Sequence, residues 1–168
     1  MFSRNTSKWA KRAVIAASAV TVLAIASGGA IAASTCKKVN GKLSLQPVTP
    51  PGPACTSPIG LCATASLSGD LAGNSEFTGT SLTPTVDTPT TAVVLLTGDN
   101  LIHTNDGDLM TKDAIVLRTI GAGDFAEVDT IIGGTGGWAG ATGSFSAIGT
   151  FTPAAGGEGD YTGEVCTP

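Results

Sequence analysis

From Leu61 to the C-terminus the chain is built of short runs rich in Thr, Val, Ile, Gly and Ser, each ended by a turn containing Gly, Asn, Asp or Pro. No stretch long enough for a helix carries the 3.6-residue apolar period, so this part of the chain is all-β. Strands are expected at about 61–69, 74–84, 91–97, 99–105, 108–119, 125–133, 141–152 and 159–166. The count is seven or eight, depending on whether Gly98 breaks a run or only bends it. Asn105-Asp106-Gly107-Asp108 is the clearest hairpin, because Asp-Gly supplies the positive φ of a tight turn. Short meandering strands of this kind form either a closed up-and-down barrel or a sandwich. Of the 23 glycines, many fall between Gly133 and Gly143, as the corners and close backbone approaches of a small barrel require.

The chain before Leu61 differs in kind. Arg4, Lys8, Lys11 and Arg12 precede an apolar run from Ala13 to about Ala26, followed by Ala30-Ile31-Ala32. This is the layout of a signal peptide over 1–32, cleaved near Ala32, and its apolar run is shorter than the roughly 20 residues that span a bilayer. Residues 33–60 carry Pro47, Pro50, Pro51, Pro53 and Pro58 with no sustained periodicity, and read as an extended arm ahead of a barrel domain at 61–168. Beyond residue 32 five basic residues face thirteen acidic ones, a formal charge of −8. Such a surface repels phosphate backbones, which argues against nucleic acid as a partner. Export leaves a secreted or periplasmic protein with no stable membrane anchor.

Cys36, Cys55, Cys62 and Cys166 all lie in the exported part, and an even count in an oxidising compartment favours two disulfides. Three pairings are open. The preferred one joins Cys36 to Cys55, tying down the arm, and Cys62 to Cys166, joining the first expected strand to the last. Intervals of 18, 6 and 103 residues contain no CxxC pair and His103 is remote, so zinc is not expected, nor is any other metal. Asp106 and Asp108 lack the spaced ligands of a calcium loop. Gly134-x-Gly136-x-x-Ala139 nearly fits a dinucleotide fingerprint, but a strand follows where that fingerprint needs a helix.

The stretch Ile131-Ile132-Gly133-Gly134-Thr135-Gly136-Gly137-Trp138-Ala139-Gly140-Ala141-Thr142-Gly143 resembles the GGTGxFxGAxG segment of the allene oxide cyclase and dirigent-like barrel superfamily, with Trp138 where Phe is usual. Gly107-Asp108-Leu109, Lys112-Asp113, Gly123 to Asp129, Gly149-Thr150-Phe151 and Tyr161 to Cys166 extend the likeness over roughly 61–166, in the style of secreted bacterial members. The resemblance implies a closed antiparallel barrel of about eight strands with an apolar interior that shapes reactive intermediates without a cofactor. It also implies self-association into dimers or trimers. The sequence departs from the plant dirigent pattern outside the glycine segment, so no catalytic residue is carried over.

Alternation through 108–119 puts Leu109, Thr111, Asp113, Ile115 and Leu117 on one face; in the next strand Phe125, Glu127, Asp129 and Ile131 share one. A carboxylate in an apolar row costs several kcal/mol unless it is paired or protonated. If Asp113 and one of Glu127 and Asp129 face inward, they form an acid–base pair. The alternative is a purely structural network at a barrel mouth, with Arg118 or Lys112. His103, the sole histidine, belongs at a surface or strand end, and no G-x-S-x-G elbow is present.

These features fit a secreted barrel that binds an apolar small molecule, through Arg118, Phe125 and Trp138 as ligand contacts, with Asp113, Glu127 and Asp129 as candidate catalytic residues. Any chemistry would be a cofactor-free cyclisation or isomerisation. The rival is a non-catalytic structural or interaction barrel plugged by its own side chains. A cavity of roughly 300 Å³ or more, lined by apolar residues plus those carboxylates, is expected of the first and not of the second.

Overall fold

In the computed structural model the described residues are 34–48, 54–88 and 91–168; the expected signal peptide and its cleavage site lie outside them. Eight strands form a closed barrel: β1 Thr35–Leu45, β2 Cys62–Gly69, β3 Gly73–Thr88, β4 Thr91–Thr104, β5 Gly107–Arg118, β6 Asp124–Gly134, β7 Thr142–Thr152 and β8 Gly156–Thr167. Each strand pairs antiparallel with its chain neighbours, and β1 closes on β8 from Thr35↔Thr167 to Leu45↔Gly157. The up-and-down barrel expected from the meander is the fold observed.

The first strand lies where the sequence suggests an arm at 33–60. Val39 and Leu43 point inward and are buried, alternating with outward Lys38, Lys42 and Ser44. The alternation is hidden because Gly41 takes the inward position between them. A Cβ there would stand 2.5 Å from the Tyr161 hydroxyl and 1.9 Å from the Ser68 carbonyl oxygen. The proline-rich stretch begins only after β1, with Gln46 N donating to Thr64 O at 2.9 Å and Val48 N to Pro153 O at 3.0 Å.

The disulfides are Cys36–Cys166 and Cys55–Cys62, which corrects the preferred pairing of Cys36 with Cys55 and Cys62 with Cys166. The reason is the extra strand. With β1 in the barrel, it is Cys36 and not Cys62 that stands directly opposite Cys166, in the register of the closing pair. Two such bridges fit an extracellular or periplasmic protein.

Gly98 does not break a strand. It pairs with Gly79 on one side and Asp113 on the other, inside a continuous β4 that joins the expected runs 91–97 and 99–105. A side chain there would run into the Phe77 ring, 2.2 Å from an added Cβ, so glycine is what lets Phe77 turn inward. The glycine segment is likewise architectural. Gly136–Trp138 form a 3₁₀ turn that docks on the β4–β5 hairpin through Gly137 N to Asp106 O at 2.6 Å and Thr135 N to Asp108 O at 2.8 Å.

The barrel interior is divided. At the end carrying the β2–β3, β4–β5 and β6–β7 turns, Val39, Leu71, Ile102, Leu109, Ile131 and Val165 form a closed apolar plug. Below it the Tyr161 hydroxyl accepts from Leu71 N at 2.8 Å and donates to Ser68 O at 2.9 Å, locking that turn to β8. On the outside, the register aligns Leu95, Val116, Ala126 and Ile148 in one row across β4 to β7. This row is apolar and exposed, with Ile148 at 64%.

Candidate functional site

The other half of the barrel is hollow. A cavity of about 170 Å³ is rimmed by Leu45, Leu61, Leu82 and Pro153 and walled by Leu96, Ile115, Leu117 and Phe125. Two of the three inward positions of β2 that line it are alanines, Ala63 and Ala65, with Leu67 the third, which leaves room opposite the larger side chains. The volume falls short of the 300 Å³ expected, yet the interior is not filled.

The floor of the cavity is polar. Asp113 and Asp129 are cross-strand partners on β5 and β6, and Glu127 lies two residues before Asp129 on the same inward face. Carboxylate oxygens of Asp113, Glu127 and Asp129 all come within 4.8 Å of one another. Glu127 and Asp129 line the cavity together with Asn100, whereas Asp113 lies behind them and is 3% exposed. The structure brings all three carboxylates to one point, which the alternation had left open for Glu127 and Asp129.

Thr111 Oγ1 donates to Asp113 Oδ1 at 2.5 Å, and Asn100 is a further hydrogen-bond partner of Asp113. Asp113 Oδ2, Asp129 Oδ1 and Asn100 Oδ1 are buried without a donor. Burial raises the pKa of Asp113 above the usual carboxylate range. Burial, then repulsion from Asp113, pushes Glu127 up to about 8. Asp129, buried and facing both of the others, is pushed up to about 12. At neutral pH the floor therefore holds protons, and Glu127 can exchange one with a bound molecule near physiological pH.

Of the expected ligand contacts, only Phe125 lines the cavity. Arg118 points outward and pairs with Asp124 beside the β5–β6 turn. Trp138 sits at the plugged end, where its Nε1 donates to Thr104 Oγ1 at 2.8 Å. His103 is on the outer wall, its Nδ1 2.8 Å from Asp108 Oδ1. Asn100, which the sequence reasoning passed over, shares the inward face of β4 with Leu96 and Ile102; a polar residue between two buried apolar ones was the available signal.

Compared with family models, curated proteins and solved structures, the chain matches none. The candidate site stands on its own geometry.

Proposed function

We propose that this is an exported barrel whose cavity binds an apolar small molecule, with Glu127 as the proton donor and acceptor of a cofactor-free cyclisation or isomerisation. The observation that carries the reading is the joining of an apolar chamber to a protonated carboxyl at its floor. Glu127 is the member of the cluster that both reaches the cavity and exchanges its proton near neutral pH; Asp129 and Asp113 hold it there through their shared protons. The likeness of the glycine segment to allene oxide cyclases and dirigent-like proteins supports the same class of chemistry, and the paired cysteines support export. Mass spectrometry of an organic extract of the secreted protein tests it: a co-purifying apolar compound is expected, and an Ala65→Phe variant, which fills the chamber, should lose it. A correctly folded protein that carries and binds nothing would overturn the reading.

A second reading, an interaction barrel, is favoured by the exposed row Leu95, Val116, Ala126 and Ile148. Four apolar positions in register form a strip that a second copy can match face to face. Light scattering of the protein and an Ile148→Glu variant separates the cases; a monomeric parent would remove this reading.

A further inference from the structure

Among the described residues, the cluster of Asp113, Glu127 and Asp129 has no basic side chain beside it inside the barrel. The basic side chains of Lys37, Lys42, Lys112, Arg118 and His103 are engaged with Asp70, Asp160, Asp99, Asp124 and Asp108 outside the cavity, and among the described residues none of the basic side chains lines it. The floor is correspondingly rich in acceptors and poor in donors. Three carboxyl groups and the Asn100 carbonyl converge here, with the Thr111 hydroxyl, the Asn100 amide and the protons that the carboxyls share as their donors. Three buried oxygens, one each on Asn100, Asp113 and Asp129, lack a donor altogether. Asp113 and Asp129 are 3% and 1% exposed, so bulk solvent does not reach these oxygens.

We infer that the ligand of this cavity is a primary aliphatic amine, its ammonium group seated on Glu127, Asp129 and Asn100 and its hydrocarbon chain lying along the apolar walls. This rests on the binding role proposed above and names the class of molecule that fits it. An ammonium brings three N–H donors and one positive charge to a place that has no basic side chain among the described residues and three oxygens without a donor. The carboxylate oxygens of Glu127 and Asp129 lie within 4.8 Å of each other, a span that one ammonium nitrogen about 2.8 Å from each can bridge. Asp113, behind the other two, adds field without needing contact. The chain runs past Ile115, Leu117 and Phe125 toward the open rim, where a longer tail can emerge.

A hard divalent ion would satisfy the same oxygens but fits the surroundings less well. It needs six to eight oxygen ligands, and the remainder would be waters whose outer hydrogens face Leu, Ile and Phe side chains. An alkylammonium matches the polar floor and the dry walls with one molecule. On binding, the ammonium takes the place of a proton that the carboxyls share in its absence; that proton leaves to solvent, so charge balances.

Calorimetric titration of the full-length protein with hexylamine, hexan-1-ol and calcium chloride tests the assignment. Hexylamine is expected to bind at least tenfold more tightly than hexan-1-ol. In the double variant Glu127→Gln/Asp129→Asn that advantage should vanish while hexan-1-ol binding persists, which also shows that the chamber is intact. Equal binding of amine and alcohol by the parent protein would overturn the inference and leave the apolar-cavity reading standing. Failure of both to bind would remove the cavity reading itself. Calcium that binds alone and displaces hexylamine would reassign the floor as a metal site and overturn the amine.

Discussion

At the scale of single residues the carboxyl cluster governs both chemistry and stability. Glu127 is raised to about 8 in the folded barrel and sits near 4.3 in an unfolded chain, so folding favours its protonated form. Its contribution to stability is therefore complete below about pH 4 and is lost as pH rises toward 8, at up to about 1.4 kcal/mol per pH unit. Denaturant melts at pH 4.5, 6 and 8 should show stability falling along this series, and a Glu127→Gln variant should fall less steeply; parallel slopes would contradict the protonated floor. Asp129→Asn should leave stability at pH 8 unchanged or raise it, because folding must keep a proton on this buried acid at a pH where the unfolded chain releases it. Alternation put Glu127 and Asp129 on one face and Asp113 in an apolar row, but which way the Glu127/Asp129 face points was settled only by the register of β5 and β6. Arg118, on the opposite parity from Asp113, was legible as an outsider, whereas Trp138 was not. Arg118 ends β5 on the outward parity, beside Asp124 across the turn, while Trp138 leaves the strand register altogether in the 3₁₀ turn.

At the scale of elements, turns and bridges rest on close backbone contacts. Gly107 in the β4–β5 hairpin has φ +133, and a Cβ there would stand 2.2 Å from the Thr135 carbonyl oxygen. Gly107→Ala should cost about 1–3 kcal/mol from backbone strain, with further loss from displacing the Gly136–Trp138 turn, read as a lowered melting temperature. A melting temperature equal to that of the parent would mean that the two turns are not held together as described. Most strands were legible from their composition and punctuation. The first was not, because its inward face reads Val39, Gly41, Leu43: a glycine stands where Tyr161 occupies the space, and the proline content just downstream masks the rest. Missing that strand also cost the disulfide pairing, which follows from strand register and not from spacing along the chain.

For the molecule as a whole, the two disulfides differ in reach. Cys36–Cys166 spans 130 residues and Cys55–Cys62 only 7. In the chain-entropy picture the long loop is worth about 5 kcal/mol and the short one about 2–3. Replacing Cys36 and Cys166 by Ser should thus lower the denaturation midpoint roughly twice as much as replacing Cys55 and Cys62; the reverse order would show that the short bridge holds more of the structure than its own loop. The long bridge also makes the polypeptide a covalent ring from Cys36 round to Cys166. A protease that cuts the exposed β5–β6 connection at 119–122 would open that ring without releasing a fragment, since both pieces remain joined at the β1–β8 seam. Such a cut would then leave one hydrogen-bonded particle, and only a reductant acting afterwards would let its halves drift apart.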